Sequence, residues 1–123
     1  MSFRFAASGL VYVLRTQTNA QIHTFAATLA IGAGFQFSFE PWAWALLALA
    51  IAFVLFAEVM NTAIEYLCDV VCPERSKAVQ RAKDIAAGAV LISATCAVSV
   101  GLIVLHATSA AELVSPGDLC LYE

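Results

Sequence analysis

The stretch Ala57–Val71, "AEVMNTAIEYLCDVV", sets Glu58, Asn61, Glu65 and Asp69 directly after an apolar run from Trp42 to Phe56. The run has the character of a membrane span, and an unpaired charge inside a bilayer is costly. On a helix turning about 100° per residue, the four polar side chains fall within an arc of roughly 80°. They form one stripe on a single helix face. Intramembrane ionisable residues are rare and mark function more often than accident. Glu58, beside Phe56 and Val59 and more than two turns from the end of the helix, is the strongest case. Asp69, near that end, is equally well read as a solvated interfacial charge.

The rest of the chain supports a membrane setting. Of 123 residues, 62% are hydrophobic and 12% charged, and the mean hydropathy is +0.86. A soluble chain this short has no core large enough for so much apolar side chain. The formal charge is −3 and only six residues are basic, which leaves no electrostatic footprint for nucleic acid. The four cysteines suggest neither a disulfide framework nor a zinc site; small buried hydrophobes is the plainer role.

Three segments are predicted to cross the bilayer in an all-α fold. They run from about His23 to Phe39, from Trp42 to just before Pro73, and from about Ile85 to His106. The first is near the lower limit of roughly 17 residues for a spanning helix, and the second exceeds about 25, so its acidic end should emerge at the interface. Ahead of them, Arg4, Ser8, Tyr12 and Arg15 recur at helical spacing, with Phe3, Leu10 and Leu14 opposite. That pattern predicts an interfacial amphipathic helix. Arg4 and Arg15 precede the first span, while Arg75, Lys77, Arg81 and Lys83 lie between the second and third. The positive-inside rule places the N-terminus and the 73–84 connection in the cytoplasm.

The polar stripe then faces the side where ATP is found, with Arg81, Lys83 and Asp84 just across the connection. Two carboxylates about two turns apart can divide labour, one binding a hard divalent cation and one taking a proton. A nearby lysine can neutralise phosphate charge. These are parts that phosphoryl transfer requires. No GxxxxGK[ST] loop occurs, so ATP would not be held by a P-loop. On composition alone, an enzyme and a small oligomeric channel or proton pathway both remain open.

"EVMNTAIEYLCD" (58–69), followed by "RAKDIAAGAV" (81–90), resembles the signature of the small prokaryotic diacylglycerol kinase family, which includes the undecaprenol kinases. The likeness covers residues 1–107 and leaves 108–123 as a C-terminal extension. It implies a bacterial inner-membrane lipid kinase with three transmembrane helices and a preceding surface helix. In it the γ-phosphoryl of ATP passes, with Mg²⁺, to a lipid alcohol, either diacylglycerol or undecaprenol. It also implies a homotrimer with sites shared between subunits, which would help to shield the stripe from lipid.

Residue by residue, the resemblance makes Glu58 the catalytic base and Glu65 the metal ligand that accompanies the nucleotide. Lys83 and Asp84 would face the phosphates, with Glu74, Arg75 and Ser76 near the nucleotide. Asn61, Asp69 and Asn19 would support the polar network, and His23 would contact the substrate headgroup. The family commonly has a glutamate where this chain has Gln17. An amide oxygen can bind Mg²⁺ but adds no charge, so metal affinity could differ and a catalytically inert scaffold of the same fold stays open.

Overall fold

A computed structural model of the chain describes residues 2–74 and 76–113. Four helices follow one another: α1 Ser2–Thr16, α2 Thr18–Gln36, α3 Pro41–Val71 and α4 Lys77–Leu113. Among the described residues there is no strand. The fold is all-helical, as predicted. The helices α3 and α4 are long and apolar enough to cross a membrane; α2 does not meet the same measure. The large side chains Phe53, Phe56, Leu91, Ile92, Leu102 and Ile103 point outward from them, each more than half exposed. An apolar surface of this extent suits lipid rather than water. This is a membrane protein.

The helix boundaries follow from local chemistry. Gln17 alone separates α1 from α2, in an extended conformation (φ −99°, ψ 115°). Its backbone N–H still donates to Val13 O at 2.9 Å, so the break is a joint rather than a loop. At the other end of α2, Phe39 N–H donates to Gly34 O (3.0 Å) and Ser38 N–H to Phe35 O (3.4 Å). This paired pattern closes a helix C-terminus around a left-handed residue. Ser38 is that residue, with φ 47°.

Pro41 occupies the first turn of α3, where its missing N–H costs nothing. The preceding Glu40 makes no cap with its side chain. Its Oε2 instead accepts from Trp42 Nε1 at 3.1 Å. Gly34 lets the aromatic residues at this end pack closely. A Cβ there would come within 2.8 Å of Trp44 Cη2 and 3.1 Å of Phe39 Cδ2. The Trp44 ring meets Phe35 and Phe39 at centroid distances of 4.8 and 5.9 Å.

Short connections, residues 37–40 and 72–76, make α2, α3 and α4 run up, down and up. The most extensive packing is between α3 and α4, and α2 also packs on α3. The interior is small: Ala20, Ala43, Leu47, Val54, Val90 and Val104 are among its buried apolar residues. Hydroxyl side chains along the long helices satisfy themselves locally. Thr24 and Thr28 donate to the carbonyls of Ala20 and Thr24, and Thr95 and Ser99 to those of Leu91 and Thr95. Such bonds make a polar side chain tolerable in an apolar setting.

Several helix ends differ from the predicted spans, and α2 runs from Thr18 to Gln36 rather than from about His23 to Phe39. The helix α4 begins at Lys77 rather than about Ile85, because Ser76 Oγ accepts Val79 N–H at 3.2 Å and caps it. It also continues past His106 to Leu113. The rest of the C-terminal extension, 114–123, lies outside the described residues.

Candidate active site

The stripe on α3 occupies a gradient of burial. Glu58 is 2% exposed, Asn61 8% and Thr62 3%. Glu65 is half-buried, and Asp69, one turn on, is exposed. The chain alone therefore buries the deep end of the stripe and leaves its outer end uncovered. Thr62 Oγ1 donates to Glu58 O at 2.9 Å, which satisfies its hydroxyl within the helix. Asn61 Nδ2 donates to Glu65 Oε1 at 3.0 Å. Two buried oxygens, Glu58 Oε1 and Asn61 Oδ1, have no hydrogen-bond partner. Unpaired buried acceptors are rare and point to a missing ligand or a functional task.

His23, on α2, reaches this deep end. Its Nε2 stands 3.4 Å from Glu58 Oε1, with the imidazole 25% exposed. The same side chain lines an apolar groove of about 260 Å³ between α2, α3 and α4. Ala26, Ala30, Ala50, Ala94, Ala97 and Gly101 form much of its wall. Small residues at these positions keep the helices close yet leave room between their side chains.

A second cavity, of about 600 Å³, opens at the end of the stripe. Asp69, Glu74, Ser76, Lys77, Lys83 and Asp84 line it, together with Gln80. Lys83 Nζ meets Asp69 Oδ1 at 2.5 Å and closes α4 against α3. The structure thus gathers four of the residues expected near a nucleotide, Glu74, Ser76, Lys83 and Asp84, with Asp69 of the expected polar network beside them. The Ser76 hydroxyl is already engaged as the cap of α4. Arg75 lies outside the described residues.

Gln17 and Asn19 sit at the α1–α2 joint, Gln17 half-buried and Asn19 exposed. The side chain of Gln17 does not cap α2. A hydroxyl–hydroxyl hydrogen bond between Tyr12 and Tyr66 ties α1 to α3 beside Glu65. Gln21 Nε2 donates back to Arg15 O at 3.1 Å across the joint. The joint and the stripe therefore share one end of the molecule. Sequence reasoning missed Thr62, Tyr66 and Gln80. Thr62 stands one turn after Glu58 on the same face, a spacing that could have found it; nothing local distinguishes Tyr66 or Gln80.

Among the described residues, no three His, Cys, Asp or Glu side chains converge as a metal site. The oxygens present are of the type that a hard divalent cation prefers, and such an ion commonly takes only one or two carboxylates beside substrate phosphates. Glu65, adjoining the unpaired amide oxygen of Asn61, fits that requirement.

The prokaryotic diacylglycerol kinase family matches residues 4–105. The chain belongs to this family. A diacylglycerol kinase from Synechocystis sp. is 41% identical over 102 residues, covering 82% of this chain and 58% of the relative. The chain thus spans a little over half the length of that relative. An undecaprenol kinase from Bacillus subtilis is 33% identical over 103 residues, covering 84% of each chain.

Proposed function

We propose that the protein is an integral-membrane lipid kinase that uses MgATP to phosphorylate a lipid alcohol. The observation that carries this reading is the position of Glu58. It is a buried carboxylate with a free oxygen, on the same helix face as the Asn61–Glu65 pair and in contact with a residue of the apolar groove. A carboxylate needs such a place to take a proton from a hydroxyl whose carbon chain stays in lipid. The two kinases among the relatives support the reaction class.

In this reading the acceptor hydroxyl gives its proton to Glu58 as its oxygen attacks the γ-phosphorus, and the bond from that phosphorus to the bridging oxygen breaks. Lys83 and Asp84 border the nucleotide, with Lys83 offsetting phosphate charge. Glu65, Asn61 and Gln17 would hold Mg²⁺. When bound, the ion supplies charge neutralisation at the phosphates. The reaction is positioning and electrostatics, with no covalent enzyme intermediate.

The reading includes α2 as a third span, since 19 residues reach about 28 Å against a hydrocarbon layer of about 30 Å. It also includes α1 at the interface, a cytoplasmic N-terminus and 73–84 connection, an inner-membrane location, and a homotrimer that completes each site.

The test is transfer of label from γ-labelled ATP to lipid, resolved by thin-layer chromatography, with diacylglycerol and undecaprenol offered separately. Transfer should require Mg²⁺ and fall by about 10²- to 10⁴-fold in Glu58→Gln. Full activity in that variant removes Glu58 as the base. Ion flux without transfer would replace the kinase with a pore.

A further inference from the structure

Glu58 lacks one thing that a base requires, a reason for one carboxylate oxygen rather than the other to face the substrate. Its side chain is 2% exposed and its Oε1 has no hydrogen-bond partner. Its own helix supplies no donor to that oxygen. The Thr62 hydroxyl is spent on the backbone carbonyl of Glu58 and the Asn61 amide on Glu65. From α2, His23 Nε2 stands 3.4 Å away. That is a few tenths of an ångström beyond a good N–H···O bond, the kind of gap that catalytic pairs close when substrate binds. The imidazole also lines the apolar groove, so it stands between that groove and the carboxylate.

We propose that His23 is a positioning residue for the base. Its Nε2–H donates to Glu58 Oε1 in the working complex, fixes the rotation of the carboxylate, and leaves Oε2 to accept the hydroxyl proton. The inference rests on Glu58 as the base and adds a role that contact with a substrate headgroup does not supply. A positioned acceptor raises the rate of the chemical step, because a misplaced reacting group loses rate steeply. A headgroup contact would instead set lipid affinity.

The experiment compares His23→Gln with His23→Ala in the full-length chain purified in detergent, with the fold of each checked by circular dichroism and gel filtration. Glutamine keeps an N–H donor and alanine has none. His23→Ala should lower kcat by about 10- to 100-fold with little change in KM for ATP or lipid, and His23→Gln should recover most of it. His23→Asn, whose amide is too short to reach, should behave like alanine without emptying the site. In a Glu58→Gln background, His23→Ala should cost nothing further, because the two residues act as a unit. Equal losses in Gln and Ala, a loss confined to KM for lipid, or an unchanged kcat in Ala would each overturn the positioning role while Glu58→Gln stayed inactive. A fully active Glu58→Gln would instead overturn the base itself, and this inference with it.

Discussion

Lys83 Nζ and Asp69 Oδ1 lie 2.5 Å apart, joining the second turn of α4 to the last turn of α3 across the mouth of the larger cavity. Asp69 is two-thirds exposed, at 66%, and Lys83 is 33% exposed. A pair so wet adds little to stability; in the proposed function its use is to hold the lysine over the cavity. Asp69→Asn should therefore leave thermal unfolding nearly unchanged while raising the KM for MgATP about two- to fivefold. Thermal unfolding in detergent and initial-rate kinetics check the two halves. An unchanged KM would remove Asp69 from the placement of Lys83.

The family resemblance sets Gln17 where members commonly carry a carboxylate. Restoring the charge with Gln17→Glu should lower the Mg²⁺ concentration needed for half-maximal activity, because a carboxylate binds a hard cation more tightly than an amide does. A Mg²⁺ titration at fixed ATP measures it. Identical curves would show that position 17 is no ligand in this chain.

The α2–α3 turn predicts opposite effects from two small changes. Gly34→Ala puts a methyl group 2.8 Å from Trp44, and the resulting overpacking should destabilise by about 1–3 kcal/mol. Ser38→Gly relieves a side chain held at φ 47° and should stabilise by about 1 kcal/mol. Both positions are remote from Glu58, so kinase activity below the unfolding temperature should not change. Thermal melts give the signs, and two shifts in the same direction would refute this account of the turn.

Tyr66→Phe removes the hydroxyl that meets Tyr12. The pair is exposed, so the loss should be small and felt locally. Amide exchange should quicken in α1 and remain unchanged in α3. Unaltered exchange in α1 would mean that Val13 and the Gln17 joint hold that helix without the tyrosines.

Pattern on a single helix carried far in the sequence. The stripe, its separation from the connection, and the ends set by Pro41 and Pro73 all follow from spacing and proline chemistry within one segment. The start of α4 did not, because the span was read from its apolar run at about Ile85, while the helix begins where the Ser76 hydroxyl caps it. The pairing of Lys83 with Asp69 and the approach of His23 to Glu58 are tertiary. Sequence put all four at one membrane face, but which cation met which carboxylate depended on how three helices packed. The gradient of burial along the stripe is tertiary too, because it depends on α2 packing against Glu58.

That last contact bears on how the protein is made. A newly inserted chain carries its costliest side chain against its own second helix, so it need not find a sister chain before Glu58 leaves contact with lipid. A single chain can therefore enter the bilayer with its deepest carboxylate already covered, and insertion does not depend on meeting a partner.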